Sequence, residues 1–217
     1  MFIDLSHTIE HGMPTYPGLP GPLICDYLSR EASRERYATG VEFQIGKLEM
    51  VGNTGTYLDS PFHRYADGQD LAALSLQVLA GLEAVMVPIR PGADRRIDWR
   101  LFKGRKVRGK AVLVSTGWDR HWRTEAYGID NPFLTADACE CLRDAGARLV
   151  GIDSVNIDDL GDWARPAHSV LLGADIPIVE HLCNLSAVPQ EGSRFFAVPP
   201  KVVGFGTFPV RAFVETA

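Results

Sequence analysis

The chain has 217 residues, of which 46% are hydrophobic and 23% charged, a composition typical of one globular domain with a sizeable core. Its formal net charge of −5, without a basic block or an aromatic and arginine-rich tract, argues against nucleic acid as a partner. No apolar run reaches the roughly 18 residues that span a bilayer, and the N-terminus carries no apolar secretion signal, so no membrane association is expected.

The N-terminal part is predicted to be strand and irregular loop. Residues 1–18 are expected to hold a first strand, in the region of residues 4–7, followed by an irregular loop over the proline- and glycine-rich residues 12–18. The charged residues 29–39 indicate a surface segment or a short helix. Residues 41–45 alternate apolar and polar side chains, which predicts a half-buried strand.

The stretch that follows, residues 52–63, carries the strongest indication of chemistry. Its glycines permit backbone angles closed to other residues, and Pro61 fixes its own φ angle. Asp59 and His63 are therefore expected on a stiff, sharply turned segment just past a strand end, where α/β folds often carry functional groups. Taken singly, Asp59 is explained as a turn cap and His63 as a core histidine; their occurrence together favours a site.

The remaining chain predicts alternating helices and strands. Apolar residues at helical spacing predict a helix over residues 71–82, and residues 95–107 predict a short helix. A helix over 136–145, with Thr135 as N-cap and Gly146 as C-cap, is expected from its end signals. Strands are predicted at residues 83–89, 111–114, 148–152, 195–198 and 202–204.

Without a repeat or a linker, residues 1–217 are expected to form one domain. The cysteines lack zinc-knuckle spacing and indicate reduced thiols of a cytoplasmic protein; they are Cys25, Cys139, Cys141 and Cys183.

The central stretch resembles the signature of the cyclase family, which includes bacterial kynurenine formamidases and isatin hydrolases. That signature is His-x-Gly-Thr-His-x-Asp-x-Pro-x-His. Five of its seven fixed residues are present here, as Gly55, Thr56, Asp59, Pro61 and His63. Its first two histidines, which resemble metal ligands, are replaced by Asn53 and Tyr57. The resemblance continues nearly end to end, through Thr-Gly-Trp-Asp at 116–119, Gly-Ile-Asp at 151–153, a His and a Glu at 168 and 180, and Gly-x-x-Pro-x-Arg at 206–211.

The resemblance implies a single-domain α/β fold of the swivelling β/β/α type, with a mixed central sheet flanked by helices, assembled as a homodimer or a higher homo-oligomer. It also implies metal-assisted hydrolysis of a C–N amide bond in a small molecule, either an arylformamide such as N-formylkynurenine, as in tryptophan catabolism, or a cyclic amide. Zinc or manganese is expected at Asp59, His168 and Glu180, with Asn53 offering a weak amide ligand. His63 is the expected acid–base catalyst or a further ligand.

Substrate contacts are expected from the proline-rich loop, through Tyr16 and Pro17, and from Trp118, for which core packing is the alternative. The two replaced histidines leave other functions open. If the metal is lost, His63 and Tyr57 form an acid–base pair for elimination, isomerisation or ring closure, or the protein is a non-catalytic binder. His181, next to Glu180, is expected to face away from the site.

Overall fold

A nine-stranded mixed sheet organises the chain in the computed structural model, which describes residues 1–14, 16, 18–90 and 92–216. The strands within these residues are β1 (Phe2–Asp4), β2 (Leu23–Leu28), β3 (Ile45–Glu49), β4 (Tyr57–Asp59), β5 (Ala80–Pro88), β6 (Arg96–Ile97), β7 (Ala111–Ser115), β8 (Phe133–Leu134), β9 (Leu149–Ile152), β10 (Ile178–Glu180), β11 (Ser193–Phe196), β12 (Thr207–Pro209) and β13 (Phe213–Thr216). The α-helices are α1 (Arg30–Ser33), α2 (Ala136–Ala145) and α3 (Pro166–Leu172).

The large sheet has the order β1-β13-β11-β5-β7-β9-β10-β4-β12. Its centre, β5-β7-β9-β10, is parallel, and antiparallel strands complete it on both sides. Two hydrophobic clusters cover its two faces. Along β7, Ala111 and Leu113 join one cluster, whereas Val112 and Val114 join the other, which also contains residues of α2 and α3. The continuous apolar run predicted as a strand is therefore buried on both faces, as parallel strands usually are.

Helix α2 begins and ends where its end signals predicted. Gly146 adopts φ 82° at the C-cap, a conformation that glycine reaches without steric cost. Thr135 occupies the N-cap position, but its hydroxyl donates to the carbonyl of Ile97 at 3.2 Å instead of capping the helix backbone.

Two helix predictions are wrong because tertiary contacts outweigh local spacing. Residues 71–82 contain only a 3₁₀ turn at Leu76–Val78, and strand β5 begins at Ala80 because the chain pairs there with β11. Their apolar side chains are nevertheless buried in the core. Residues 95–107 form β6 and a single 3₁₀ turn at Trp99–Leu101, because Asp98 caps that turn and Gly104 turns the chain with φ 77°.

Two strand predictions are also wrong in position. The strand expected at residues 41–45 lies at β3, and every residue of β3 is exposed because β3 pairs only with β2, outside the large sheet. Residues 202–204 form a turn, in which Gly204 has φ 69°. Among the helices described, none combines the length and the apolar character that crossing a membrane requires.

Candidate metal centre and active site

Three neighbouring strands bring the predicted site residues together at one edge of the sheet. In β4, Tyr57 pairs with Glu180 of β10, and Asp59 pairs with Thr207 of β12. Tyr57 and Asp59 are two residues apart on one strand and therefore share a face. Antiparallel pairing thus places Asp59 and Glu180 beside each other although more than a hundred residues separate them in sequence.

The glycines before β4 act in two different ways. Gly55 has φ 66°, the left-handed conformation that the sequence predicted for a glycine here. Gly52 is needed for a close approach instead, since a Cβ atom at this position would lie 2.4 Å from the carbonyl oxygen of Thr207. Together they let the loop turn tightly against β12.

His63 lies on a 3₁₀ turn that starts at Pro61, directly after β4. Its Nδ1 atom is 2.7 Å from the hydroxyl of Thr207, which also hydrogen-bonds Asp59 Oδ1. The imidazole is 34% exposed, whereas the Asp59 side chain is fully buried. Thr207 was not singled out by sequence reasoning; the only signal was its place in the Gly-x-x-Pro-x-Arg segment.

His168 lies in the first turns of α3, and Asp158 orients it. The Asp158 carboxylate accepts from the backbone N–H of Ala167 at 2.6 Å and from His168 Nδ1 at 2.6 Å. His168 Nε2 then faces Asp59 Oδ2 and Glu180 Oε1, each 3.7 Å away. A carboxylate behind an imidazole is the usual support of a metal-binding histidine. Sequence reasoning missed Asp158, which was marked only by its position shortly before His168.

Both oxygens of Glu180 have protein donors. Oε1 accepts from the backbone N–H of Ile157 at 2.6 Å, and Oε2 accepts from the Tyr57 hydroxyl at 2.6 Å. Burial raises the pKa of Glu180 to about 7, against the opposing effect of His168. Burial also raises the pKa of Tyr57 well above its ordinary value, an effect that Glu180 strengthens. Asn53 hydrogen-bonds the same phenol.

The buried cluster contains more carboxylates than imidazoles, and these charges shift the pKa values of its members. Burial by itself would lower the pKa of His168, but Glu180, Asp158 and Asp59 outweigh it and raise the pKa to about 10. Burial would raise the pKa of Asp59, yet His63 and His168 lower it. Asp59 Oδ2 is buried and has no hydrogen-bond partner among the described residues. Buried carboxylate oxygens normally have partners, so this atom indicates a site built for a cation.

The residues present fit a divalent metal ion. One ligand atom each from Asp59, His63 and His168 lie within 4.8 Å of one another. Two ligands each about 2.1 Å from one ion are at most about 4.2 Å apart. The 3.7 Å separations of His168 Nε2 from Asp59 and from Glu180 satisfy that limit. Imidazole and carboxylate donors suit zinc and manganese.

A cavity of about 350 Å³ opens above this cluster. Among the described residues that were predicted for the site, the lining includes all but Asp59 and Trp118. It adds Gly18, Leu19, Arg64, Asn156 and Arg165. Tyr16 lines the wall as predicted, and Pro17 lies outside the described residues. Trp118, the other predicted substrate contact, is not among the lining residues; its Nε1 donates to the carbonyl of Tyr127 at 3.0 Å and its ring packs on His121.

His181 is buried behind the site, as expected. It has φ 55°, so the chain leaves β10 sharply after Glu180. The ring is 5.0 Å from Tyr57, and Nδ1 is 3.2 Å from the Tyr127 hydroxyl. Burial lowers the pKa of His181 to about 3, so the ring is neutral and packs as an aromatic group.

The mixed sheet and the buried carboxylates and imidazoles under the cavity place this chain in the class of α/β proteins that have a candidate metal site at one edge of a sheet. Residues 3–159 match the sequence profile of the family described as "Putative cyclase", and the chain belongs to this cyclase family.

Relatives and solved structures agree with that assignment. A kynurenine formamidase of Bacillus cereus is 28% identical over 214 residues, covering 99% of this chain and 97% of the relative. A kynurenine formamidase of Maricaulis maris is 26% identical over 220 residues, covering 98% of this chain and 96% of the relative. A structure titled as a potential metal-dependent hydrolase with cyclase activity has a TM-score of 0.77 at 25% identity, covering 99% and 96% of the two chains. Isatin hydrolase A from Labrenzia aggregata, with a TM-score of 0.82 and 21% identity over 100% and 93%, shares the fold.

Proposed function

We propose that this protein is a metal-dependent hydrolase that cleaves a C–N amide bond in a small molecule, an arylformamide or a cyclic amide. The observation that carries the proposal is the convergence of Asp59, His168 and Glu180 under one cavity, where Asp59 Oδ2 has no hydrogen-bond partner among the described residues. The relatives named kynurenine formamidase, which align over nearly the whole chain, support the arylformamide class.

Asp59, His168 and Glu180 are the proposed ligands of zinc or manganese, with Asn53 or His63 completing the set. The chemistry that such an ion supplies when bound is polarisation of a carbonyl and a lower pKa for water. Asp158 holds the His168 ring so that Nδ1–H faces the carboxylate and Nε2 faces Asp59 and Glu180.

The hydrogen bonds of Thr207 determine which ring nitrogen of a neutral His63 carries the proton. An ionised Asp59 only accepts, so the Thr207 hydroxyl donates its one proton to Asp59 Oδ1. The Thr207 oxygen must then accept from His63 Nδ1–H, at 2.7 Å. In the neutral ring, Nε2 therefore carries the lone pair. His63 is 34% exposed and lines the cavity, which suits a group that takes a proton from water and returns it to the leaving amine.

Tyr57 is proposed to position Glu180 rather than to exchange protons. Its hydroxyl is fully buried and donates to Glu180 at 2.6 Å. Because burial raises the pKa of this phenol well above its ordinary value of 10.0, its deprotonation near neutral pH is disfavoured. The acid–base pair of His63 and Tyr57 considered from the sequence is therefore not the arrangement we favour.

The cavity supplies the remaining requirements of a small-molecule site. Its volume of about 350 Å³ falls in the range of ligand pockets. Tyr16 and Leu19 contribute apolar surface to its wall. An aromatic ring packed there would exclude water from the amide bond.

We also propose a homodimer or higher homo-oligomer located in the cytoplasm. The hairpin β2–β3 exposes several apolar side chains, which are Leu23, Ile24, Tyr27, Ile45 and Leu48. Such a surface favours association with a second copy, and light scattering of the purified protein tests it. All four cysteines are free thiols, which favours a reducing compartment.

The function is tested by metal analysis of protein purified without added metal, followed by an N-formylkynurenine assay with zinc, with manganese and with a chelator. We expect turnover that the chelator abolishes and one of the ions restores. His63→Ala should lower kcat by at least about a hundredfold, within the usual worth of acid–base catalysis, with little loss of stability because the ring is partly exposed. His121→Ala removes an imidazole outside the cavity and is the control. Full turnover in His63→Ala, or turnover indifferent to the chelator, would refute the proposal.

A further inference from the structure

Two arginines line the cavity above the charged cluster. Arg64 follows the 3₁₀ turn that carries His63, and Arg165 immediately precedes α3. The two guanidinium groups therefore come from the same two segments as the imidazoles of the site. Both arginines line the cavity, as does Glu180, but the side chains of Asp59 and Glu180 are almost completely buried.

Both guanidinium groups are held by neutral acceptors. Arg165 Nη1 donates to the carbonyl oxygen of Asp159 at 2.8 Å, and its Nη2 donates to the Tyr16 hydroxyl at 3.3 Å. Arg64 Nε donates to the Ser169 hydroxyl at 3.3 Å. Neither arginine forms an ion pair with any carboxylate in the part of the chain described here.

The Asp159 carboxylate shows the contrast. It lies next to the carbonyl that Arg165 contacts, yet its ion pair is with Arg95, at 2.6 Å. A guanidinium group is always charged and has five N–H donors, of which Arg165 uses two in these contacts. Arg165 helps to lower the pKa of the nearby Asp159 carboxylate but makes no direct ion pair with it, so its remaining N–H donors are left for another partner at the cavity wall.

The backbone of Arg165 fixes this arrangement at a steric cost. Its φ of 48° and ψ of 57° are left-handed, which costs a non-glycine residue roughly 1–2 kcal/mol. The following residue is Pro166, which restricts the residue before it further. Strained conformations of this kind cluster at active sites and ligand-binding segments.

We propose that Arg64 and Arg165 form an anion subsite, which binds a carboxylate carried by the substrate away from the amide bond that is cleaved. Planar guanidinium groups bind carboxylates through paired hydrogen bonds. Glu180 also lines the cavity, but its two carboxylate oxygens already accept hydrogen bonds from Tyr57 and Ile157. The substrate class is then an aryl amide with an acidic side chain, its amide at the buried cluster and its ring against Tyr16 and Leu19. The identity of the cleaved bond rests on the proposed function, whereas the anion subsite does not.

A pair of non-hydrolysable ligands tests the subsite without turnover. Calorimetry compares 4-oxo-4-phenylbutanoate with 4-oxo-4-phenylbutanamide, which differ only in the acid group. The acid should bind the unmodified protein roughly 10- to 100-fold more tightly, the range for hydrogen bonds to charged groups. Arg165→Met and Arg64→Met should each reduce this preference. Arg194→Met removes the same charge from the exposed face of β11, on the far side of the sheet, and should leave it unchanged.

Repeating the calorimetry in the presence of a chelator shows whether the arginines or a metal ion bind the acid group. A preference that persists in chelator and falls in the arginine variants supports the subsite. A preference that vanishes in chelator but survives both variants assigns the acid to the metal ligands and overturns it, as does equal affinity for the two ligands. If Arg165→Met fails to fold, Arg64→Met and the ligand pair still decide. Absence of formamidase turnover would refute the proposed function and leave the ligand preference intact.

Discussion

Tyr57→Phe tests the physical account of the site most directly, because it removes one oxygen atom and keeps the ring. The lost hydroxyl is fully buried and donates to Glu180 Oε2 at 2.6 Å. A hydrogen bond to a charged group contributes about 1.5–3 kcal/mol to stability. For a chain of this length, that loss lowers Tm by roughly 3–12 °C.

The effect should depend on pH, and the pKa of Glu180 gives the direction. Burial raises this pKa from 4.5 to about 7, so the folded protein binds more protons than the unfolded chain between these values. Stability contributed by the protonated group is therefore lost as pH rises through about 7. The Tyr57 hydroxyl stabilises the ionised form, so its removal should cost most at pH 8 and less at pH 5.5.

Urea unfolding at the two pH values, in chelator so that metal binding does not contribute, measures the cost. Tyr65→Phe is the matched control, because the Tyr65 hydroxyl donates to the neutral carbonyl of Ser169 at 2.9 Å. That bond should contribute about 0.5–1.5 kcal/mol at both pH values. Equal losses in the two variants, or a Tyr57→Phe loss that does not change with pH, would refute the reasoning.

Three other predictions concern the metal and the acid stability of the fold. Asp158→Asn should weaken zinc or manganese affinity 10- to 100-fold, measured by competition with a metal-binding dye, because the carboxylate orients a proposed ligand. Asn53→His combined with Tyr57→His should raise that affinity at least tenfold, and equal metal content at limiting metal would contradict it. Burial lowers the pKa of His7 from 6.5 to about 4, so its stabilisation is present above pH 6.5 and is lost as pH falls towards 4. In His7→Phe, the free energy of unfolding measured by urea titration should therefore change less steeply with pH between 4 and 6.5. The slope should fall by the equivalent of at most one bound proton.

The sequence predicted the elements whose determinants are local. Helix α2 has its end signals in neighbouring residues, and the apolar run of β7 is too continuous for a half-exposed strand. The helix expected over residues 71–82 fails for the complementary reason. Its apolar spacing served burial under the sheet, and the pairing partner that drew its end into β5 lies more than a hundred residues away in β11.

The site divides in the same way. The residues proposed to supply its chemistry, Asp59, His63, His168 and Glu180, were identified by residue type and by the resemblance to the cyclase family, since ligands and bases need particular functional groups. Their supports were not. Asp158 and Thr207 orient the site only because the fold places them against His168 and His63. Nothing in the sequence distinguishes them from other polar residues that make no such contact.

The sequence by itself therefore determined the α/β class, the cyclase-family motif and the four groups that meet at the sheet edge. Only the tertiary structure decided that Tyr57 is bound to Glu180, that Trp118 lies outside the cavity, and that Arg64 and Arg165 line it without carboxylate partners. The physical reason is the range of the interactions. Backbone propensity, capping and side-chain chemistry act within a few residues, whereas burial, pKa and charge compensation depend on neighbours that the fold brings from distant parts of the chain.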